Sequence, residues 1–598
     1  MLTADRKAAL PRCKNMPTVN SSTSEIHPEI EERGSSLQTE IFGLPQVSAS
    51  CGYTTLPSVA VIPDYFLPAY VEKALKQAGL FHVHQVPSEP GSSLTIEHLD
   101  VTAPMLRLIG DQLRQRQAAL IGHKQYSERM AGLKLLANDL CRPDSAFRQE
   151  ALSVVCQLSG FSPEMIALLL NSFGEMFGMV QPDIGPVEFS YPQSGPGFTK
   201  SPFGYAHFYS DWPDAIQKYL GSGKKNSGGT PPAKLEGLPR LVTSIAAGNV
   251  PGISVLQAFF PLLIGAACLT KNSSSEPYFG GRFLTELAAL EETNQLFPCS
   301  DLVVLLTFPG RDRTLLEEII HQGDHVVATG GHDSKREILG MVNRLRIRGQ
   351  RDLLRRTSGH WHKVSFDVVT QEYLTPAWIE KVAYNVAFDN SMFNTQGCLS
   401  CQQVFVEGSE TQVLEFSKKF VEQMKIILAR LPKGCDAEAG LREMYHQCEK
   451  TPGVKILTGL RDMLADPFFV AYEGQPAQFA VFNALNRSIM IRRVENLEVD
   501  LPRLLKGVPD DLLQSCGAAI PETRLFKLAD ILGRAGVNRI VPVGDIWNMV
   551  PGLESWDGYL PPADMIHAQH GYWTTIKFHD PSRAIEETYS RNRALLKD

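Results

Sequence analysis

Neither sign of charge dominates this chain: 58 lysines and arginines stand against 65 aspartates and glutamates, a net charge of -7 over 598 residues. With both signs spread along the sequence, nucleic acid and anionic membrane surfaces are not expected as main partners. The opening residues MLTADRKAALPRCKN hold no apolar run of the length a secretory leader needs. The 11 cysteines follow no regular spacing, so they read as reduced thiols of a cytoplasmic enzyme and not as a disulfide framework. No solenoid-type repeat recurs, no metal is expected, and no complete G-x-G-x-x-G marks a conventional Rossmann turn. Charge is absent from Leu241 to Thr270, a stretch of 30 residues that is long enough to cross a bilayer. Pro251, Pro261, Gly248, Gly252 and Gly265 interrupt it and Asn249 is polar. It therefore reads as strand, turn, buried helix, strand, with no membrane span.

The length suits about three to four domain-sized units. Residues 1–55 are rich in Ser, Thr, Pro and Glu and read as flexible. Between Ala103 and Phe177 the pattern is helical: Leu106, Leu108 and Leu113 start an apolar stripe, and Asp144-Ser145 and Ser162-Pro163-Glu164 look like helix starts. An aromatic, proline- and glycine-rich stretch (Phe189 to Trp212) and the linker-like GSGKKNSGGTPP at 221–232 follow. Beyond them the chain alternates. Leu241–Ala246, Ala267–Lys271, Leu302–Thr307 and His325–Ala328 read as strands, with helices at Ile253–Gly265, Thr314–His321 and Ser334–Asn343. Such β-α-β spacing predicts an α/β fold with a doubly wound, mostly parallel sheet. Short strands recur after Val382, including Val404–Glu407, followed by an amphipathic helix over Thr411–Leu431. A second α/β unit thus begins between residues 360 and 385.

Three short stretches carry chemistry. Thr329-Gly330-Gly331 falls between a strand and a helix, where backbone N–H groups and a helix N-terminus suit a phosphate; a plain tight turn is the alternative. Asn249, in AAGNVPGIS, lies at another strand-to-helix turn and is either a cap or an amide donor aimed into a site. Cys398, in FDNSMFNTQGCLSCQQVFVE, precedes a strand. It reads as a nucleophile, as a packing thiol, or as half of a redox pair with Cys401. Redox C-x-x-C pairs usually open a helix, and this one leads into a strand.

In this order, AAGNVPG (246–252), LTKNSSSEP (269–277), TGG (329–331), GHWHKVSF (359–366), DNSMFNTQGCLS (389–400) and RIVPVGDIWN (539–548) resemble the aldehyde dehydrogenase superfamily. The resemblance is stronger to its acyl-CoA reductase, LuxC-like branch, and covers about residues 235–570. It implies a cofactor domain at 236–370, joined by a helical region at 56–235, and a catalytic domain at 371–535. Residues 536–598 would return to the cofactor domain or form a β-flap for homo-oligomerisation. It makes Cys398 the catalytic thiol and Asn249 an oxyanion donor. It places Lys271, Ser273 and Ser274 at the adenosine ribose of a nicotinamide cofactor, and Thr329, Gly330 and Gly331 at its pyrophosphate. The acidic residue that holds the ribose 2′-hydroxyl in hydrolytic members is replaced by Ser274, which favours NADPH, although Glu276 keeps a carboxylate close by. Hydrolytic members also carry a glutamate four residues before a lysine to activate water. Counting back from Lys363 gives Gly359.

The resemblance thus implies NADPH-dependent reduction of an acyl-CoA or carrier-protein thioester to the aldehyde through an S-acyl cysteine, with His360 and His362 as candidate proton donors. A partner enzyme that supplies the acyl group is a further expectation. Alternatives are the oxidative direction, a cysteine acyl-transfer component without nicotinamide chemistry, and a non-catalytic protein that kept the fold. Proline is usual in the family at the position of Cys401, which is read here as a packing residue.

Overall fold

A computed structural model describes residues 61–88, 94–121, 130–178, 239–347, 356–434, 438–458, 467–480, 485–509, 511–549, 554–559, 565, 575–576 and 581–596. The flexible segment expected at 1–55, the stretch Phe189 to Trp212 and the linker at 221–232 lie outside the described residues.

A small sheet opens the described chain: β1 (Val61–Pro63), β2 (Val83–Pro87) and β3 (Thr95–Leu99), in the order β1-β3-β2. Phe66 fastens it to the next layer by exchanging backbone bonds of 2.8 and 3.0 Å with Leu305.

That layer is a parallel sheet of β4 (Leu241–Ile245), β5 (Ala267–Asn272), β6 (Val303–Thr307), β7 (His325–Gly330) and β8 (Thr357–Trp361), in the order β6-β5-β4-β7-β8. Strands β4, β5 and β6 are buried at every position, which is why they read as unbroken apolar runs. The chain starts in the middle of the sheet, builds outward through β5 and β6, then returns to add β7 and β8. The direction of winding therefore switches between β4 and β7, the place where open α/β sheets bind ligands. The uncharged stretch Leu241 to Thr270 is β4, the helix Ile253–Leu263 and most of β5. Among the described residues no helix is long and apolar enough to cross a membrane. Strand β7 runs on through Gly330, so the expected Thr-Gly-Gly turn shrinks to Gly331 before the helix His332–Ile347.

Strand β8 ends at Trp361 and β9 (Val364–Val369) starts a second sheet three residues later. The carboxyl edge of one sheet thus runs directly into the amino edge of the other. The second sheet adds β10 (Cys401–Glu407), β11 (Val454–Ile456), β12 (Phe469–Glu473), β13 (Ser488–Val494), β14 (Leu513–Ala519), β15 (Arg539–Pro542) and β16 (Thr575–Ile576), in the order β11-β12-β13-β10-β9-β14-β15-β16. Its pairs are parallel except β11 with β12. The C-terminal segment extends this second sheet through β15 and β16, and it touches the first sheet where Trp556 stacks on His360.

The strands expected beyond Val382, with Val404–Glu407 among them, are present, the named one within β10. Before them the chain forms the helix Ile379–Ser391, which the sequence pattern does not reveal. Every residue from Val382 to Ser391 is buried, so the helix has no polar face and shows no 3.6-residue period.

The N-terminal helices bind both halves. In Ala103–Ile121, Gln117 donates to the Gly265 carbonyl at 2.9 Å, behind β5. From Pro163–Gly178, the Phe173 ring sits against Gly252, and Met165 Sδ accepts the Phe393 N–H at 3.3 Å.

Candidate active site

The two edges that meet at residues 362–363 carry the residues singled out from the sequence. Asn249 lies in the turn after β4, and its Nδ2 donates to the Gln396 carbonyl at 3.0 Å, two residues before Cys398. Val250 approaches Gly397 from the same turn. The turn needs its glycines. A Cβ on Gly248 would lie 2.0 Å from Ser275 Oγ, and Gly252 has φ 84 and would strike the Phe173 ring at 2.5 Å. Asn249 and Cys398 are thereby tied together across 149 positions of sequence.

Cys398 is half-buried, between a short turn at Met392–Thr395 and β10. Its carbonyl accepts from Ser365 Oγ at 2.6 Å. Its sulfur accepts from Gln514 Nε2 at 3.4 Å. The same Gln514 nitrogen donates to Asp557 Oδ1, and the other Asp557 oxygen holds His360 Nδ1 at 2.9 Å. His360 is buried and stacked on Trp556, ring centroids 3.9 Å apart. Lys363 is buried at the junction of the sheets, where its charge reaches both Cys398 and Asp557. Burial is the main reason that the Cys398 thiol is pushed up to about 12, with the Asp557 carboxylate adding to it. The Gln514 N–H, the backbone N–H of Cys398 and the Lys363 charge oppose them. Burial pulls Lys363 down, helped by Lys335, while Asp557 and Cys398 hold it up.

Cys401 is the first residue of β10, fully buried, with its sulfur on the Gln403 carbonyl at 3.2 Å. Burial and the Asp367 and Asp389 carboxylates raise its thiol well above the usual range. It is not bonded to Cys398. His362 lies against His332, ring centroids 5.3 Å apart, outside the chain of contacts through Gln514 and Asp557.

The other half of the site lies at the carboxyl ends of β5, β4 and β7. Lys271 is buried, no carboxylate pairs with it among the described residues, and burial pulls its ammonium down to about 8. A lysine in that state is ready for an anion. Ser273 and Ser275 share a hydroxyl–hydroxyl bond of 2.8 Å over Gly248, and Ser274 is exposed beside them. Glu276 is turned away: its Oε1 accepts the Phe279 N–H at 2.6 Å and caps the helix Phe279–Thr293. Thr329 Oγ1 accepts from the buried Gln257 across the switch point, and a Cβ on Gly331 would meet open space. These groups fit a dinucleotide laid along the edge, with Lys271 and Ser274 at its anionic or ribose end. Among the described residues no group of three His, Cys, Asp or Glu side chains is arranged to hold a metal.

At Gly359, four residues before Lys363, a Cβ would lie 2.3 Å from Trp361 Nε1, so the indole fills the space of any side chain there. Gln514, Asp557 and Lys363 are not singled out by the sequence. Gln514 lies 116 positions from Cys398, and Asp557 lies 197 from His360, so no local pattern links them.

Comparisons with known proteins give the family and the fold. The acyl-CoA reductase (LuxC) family profile matches residues 236–568. A long-chain acyl-protein thioester reductase of Photorhabdus luminescens is 23% identical over 397 residues, 64% of this chain and 69% of that protein. One of Vibrio harveyi is 28% identical over 311 residues, 50% of this chain and 57% of that protein. Among solved structures, the Delta-pyrroline-5-carboxylate dehydrogenase of Mycobacterium tuberculosis superposes with a TM-score of 0.54 at 12% identity, covering 95% of this chain and 96% of that one. The same enzyme has been solved bound with NAD, at a TM-score of 0.52. The fold is that of aldehyde dehydrogenases, and the chain belongs to the LuxC family of acyl-CoA reductases.

Proposed function

We infer that the protein reduces an acyl thioester, carried on CoA or on a protein, to the aldehyde through an S-acyl group on Cys398, using NADPH. The observation that carries this reading is the pairing of a donor-lined thiol with a covered Gly359. The Asn249 amide is fixed on the loop of Cys398, while Trp361 fills the space beside Gly359, the position to which the resemblance assigns a water-activating acid. Asp557, whose charge reaches the thiol, spends its two oxygens on Gln514 and His360.

In the first step Cys398 gives up its thiol proton to a neighbouring base, its sulfur bonds to the thioester carbon and the carbonyl electron pair moves to oxygen. The second N–H of Asn249, which meets no acceptor among the described residues, and the Cys398 backbone N–H are the donors for that oxygen. One such donor contributes about 3–4 kcal/mol. Collapse breaks the bond to the leaving sulfur, which departs with its electron pair and takes up a proton. His360, held by Asp557, is the proposed group to give and take it. A reduced nicotinamide dinucleotide bound along Lys271, Ser274 and Thr329 would supply the hydride that takes the S-acyl group to the aldehyde. With no acid at Gly359 to activate water, the S-acyl group persists until then. The exposed Ser274 and the buried Lys271 ammonium at the end of the same strand, with Glu276 turned into a helix cap, support NADPH over NADH.

The test is NADPH consumption with a panel of acyl-CoAs and an acyl-carrier protein, comparing wild type with Cys398→Ala and trapping the aldehyde. Aldehyde from wild type alone is expected. Full activity in Cys398→Ala would overturn the mechanism. A Cys398-dependent acyl adduct without turnover would favour the acyl-transfer role instead.

A further inference from the structure

We propose that Gln514 is a catalytic residue, its amide N–H donating to the Cys398 sulfur, and that Asp557 is the positioning residue that turns the amide toward it. The inference rests on the reading of Cys398 as the nucleophile.

Four observations converge on Gln514. It is buried at 1% exposure, so its amide has to find partners within the protein. Its Nε2 lies 3.4 Å from Cys398 Sγ and also donates to Asp557 Oδ1, using both hydrogens of the NH₂ group. Its Oε1 lies 3.3 Å from Ser365 Oγ, the hydroxyl that also bonds the Cys398 carbonyl. The Asp557 carboxylate, which can only accept, decides which end of the amide is nitrogen. Finally, Gln514 sits where the pairing of β14 with β9 loses register, between Leu513 and Cys516. Such irregularities re-aim a side chain beside an active site.

The chemistry follows from the direction of that bond. A donor to sulfur stabilises the thiolate relative to the thiol. When the sulfur pair forms the bond to the acyl carbon, the N–H···S contact weakens. When the tetrahedral adduct left after reduction collapses, the C–S bond breaks, the pair returns to sulfur and the contact is restored. The charged and titratable groups around the thiol are Asp557 from the 554–559 segment, Lys363 from the sheet junction and His360 from β8. Lys335 lies behind Lys363 and is paired with Asp511. Asp557 acts in two opposed ways, orienting Gln514 through Oδ1 while its charge disfavours the thiolate.

That opposition gives a test that a structural role would not pass. Carbamidomethylation of Cys398 by iodoacetamide is followed by peptide mass mapping on the full chain between pH 6 and 10.5. Gln514→Met, similar in volume without a donor, is expected to move the profile up by at least about one pH unit, a tenfold slower reaction at fixed pH below it. Asp557→Asn keeps an oxygen for the Gln514 N–H and removes the charge, so it is expected to move the profile down. An unmoved or lowered profile in Gln514→Met overturns the proposal. If that variant does not fold, Gln514→Asn, with an amide too short to reach, takes its place, and an Asp557→Asn profile that fails to fall also overturns it. Acyl-CoA-dependent NADPH oxidation is measured on the same samples. Shifted profiles without turnover keep Gln514 and sink the thioester reductase reading. Turnover with unshifted profiles does the reverse.

Discussion

Arg487 Nε donates to Asn394 Oδ1 at 3.0 Å, four residues before Cys398, and both side chains are fully enclosed. Phe393, Asn394 and Thr395 stand in the left-handed region at φ 49, 50 and 63, without a glycine among them. Leu485, Asn486 and Arg487 do the same at 56, 52 and 60. Such residues cost on the order of 1 kcal/mol or more each and persist only where their surroundings hold them. Here Arg487 does so. Its guanidinium also bonds the carbonyls of Leu431 at 2.8 Å and Pro432 at 3.2 Å, and its backbone N–H bonds Thr395 Oγ1 at 2.9 Å. Arg487→Met leaves several buried acceptors unpaired, and destabilisation of about 3 kcal/mol or more is expected by urea unfolding. In the fraction that folds, Cys398 should react with iodoacetamide at an altered rate, because the turn that aims it is released.

How much of this is legible in the sequence depends on the range of the contact. Strands β4 to β7 are readable because they are buried on both faces and carry continuous apolar runs. Asn249 and Cys398 stand out because each lies in a short run that matches a family motif, whereas their local residues alone leave a cap and a packing thiol open. The helix Ile379–Ser391 escapes a pattern reading because burial on every side erases its periodicity. Gln514, Asp557 and Arg487 give no signal at all. A glutamine at the second position of a strand, an aspartate near a tryptophan and an arginine in a loop are ordinary until the fold brings them to the thiol.

With Lys271 at the proposed cofactor edge, cofactor binding is expected to depend on pH. Burial holds its ammonium at about 8 in the free protein, so above that pH the charge is lost before a phosphate can use it. Dissociation constants for NADPH, read by fluorescence, should be flat below pH 8 and rise by up to about tenfold per unit above it. Lys271→Met should bind more weakly and show no such bend. A bend of equal size in the variant would assign it to another group.

Glu276 links stability to pH in the opposite sense from an ordinary ion-paired carboxylate. Burial raises its carboxyl from 4.5 to about 7. The native state therefore keeps a proton that the unfolded chain has released, and stability falls as pH rises between those values. The full effect is at most about 3 kcal/mol. Glu276→Gln retains an acceptor for the Phe279 N–H without the titration. Wild type should therefore lose stability relative to the variant between pH 5 and pH 8, measured by paired urea melts. Parallel melts at both pH values would remove Glu276 as the source.

Asn249→Ala removes a proposed oxyanion donor and also the tie to Gln396. The expected loss in kcat for thioester reduction is on the order of 10²–10³-fold. NADPH binding should change little, because Lys271 and Thr329 lie on other strands. A loss confined to KM would mean that the amide only holds the loop.

Placing an acid at Gly359 should not convert the protein into a hydrolase. In β8 the position pairs with Ala328 of β7, and the Trp361 indole lies where the side chain would begin, its Nε1 2.3 Å from the point a Cβ would take. Gly359→Glu must therefore first displace Trp361, and with it the strand end that carries His360 against Trp556 and Asp557. The expected outcome is loss of thioester reduction and lower stability by more than about 2 kcal/mol, the usual scale for forcing a side chain into filled space, with no gain in acyl-CoA hydrolysis by free-thiol release. If Gly359→Glu instead hydrolysed its S-acyl group at a measurable rate, room for the acid would exist after all. The persistence of the acyl-enzyme would then rest on the missing carboxylate alone, and not on the indole that covers its place.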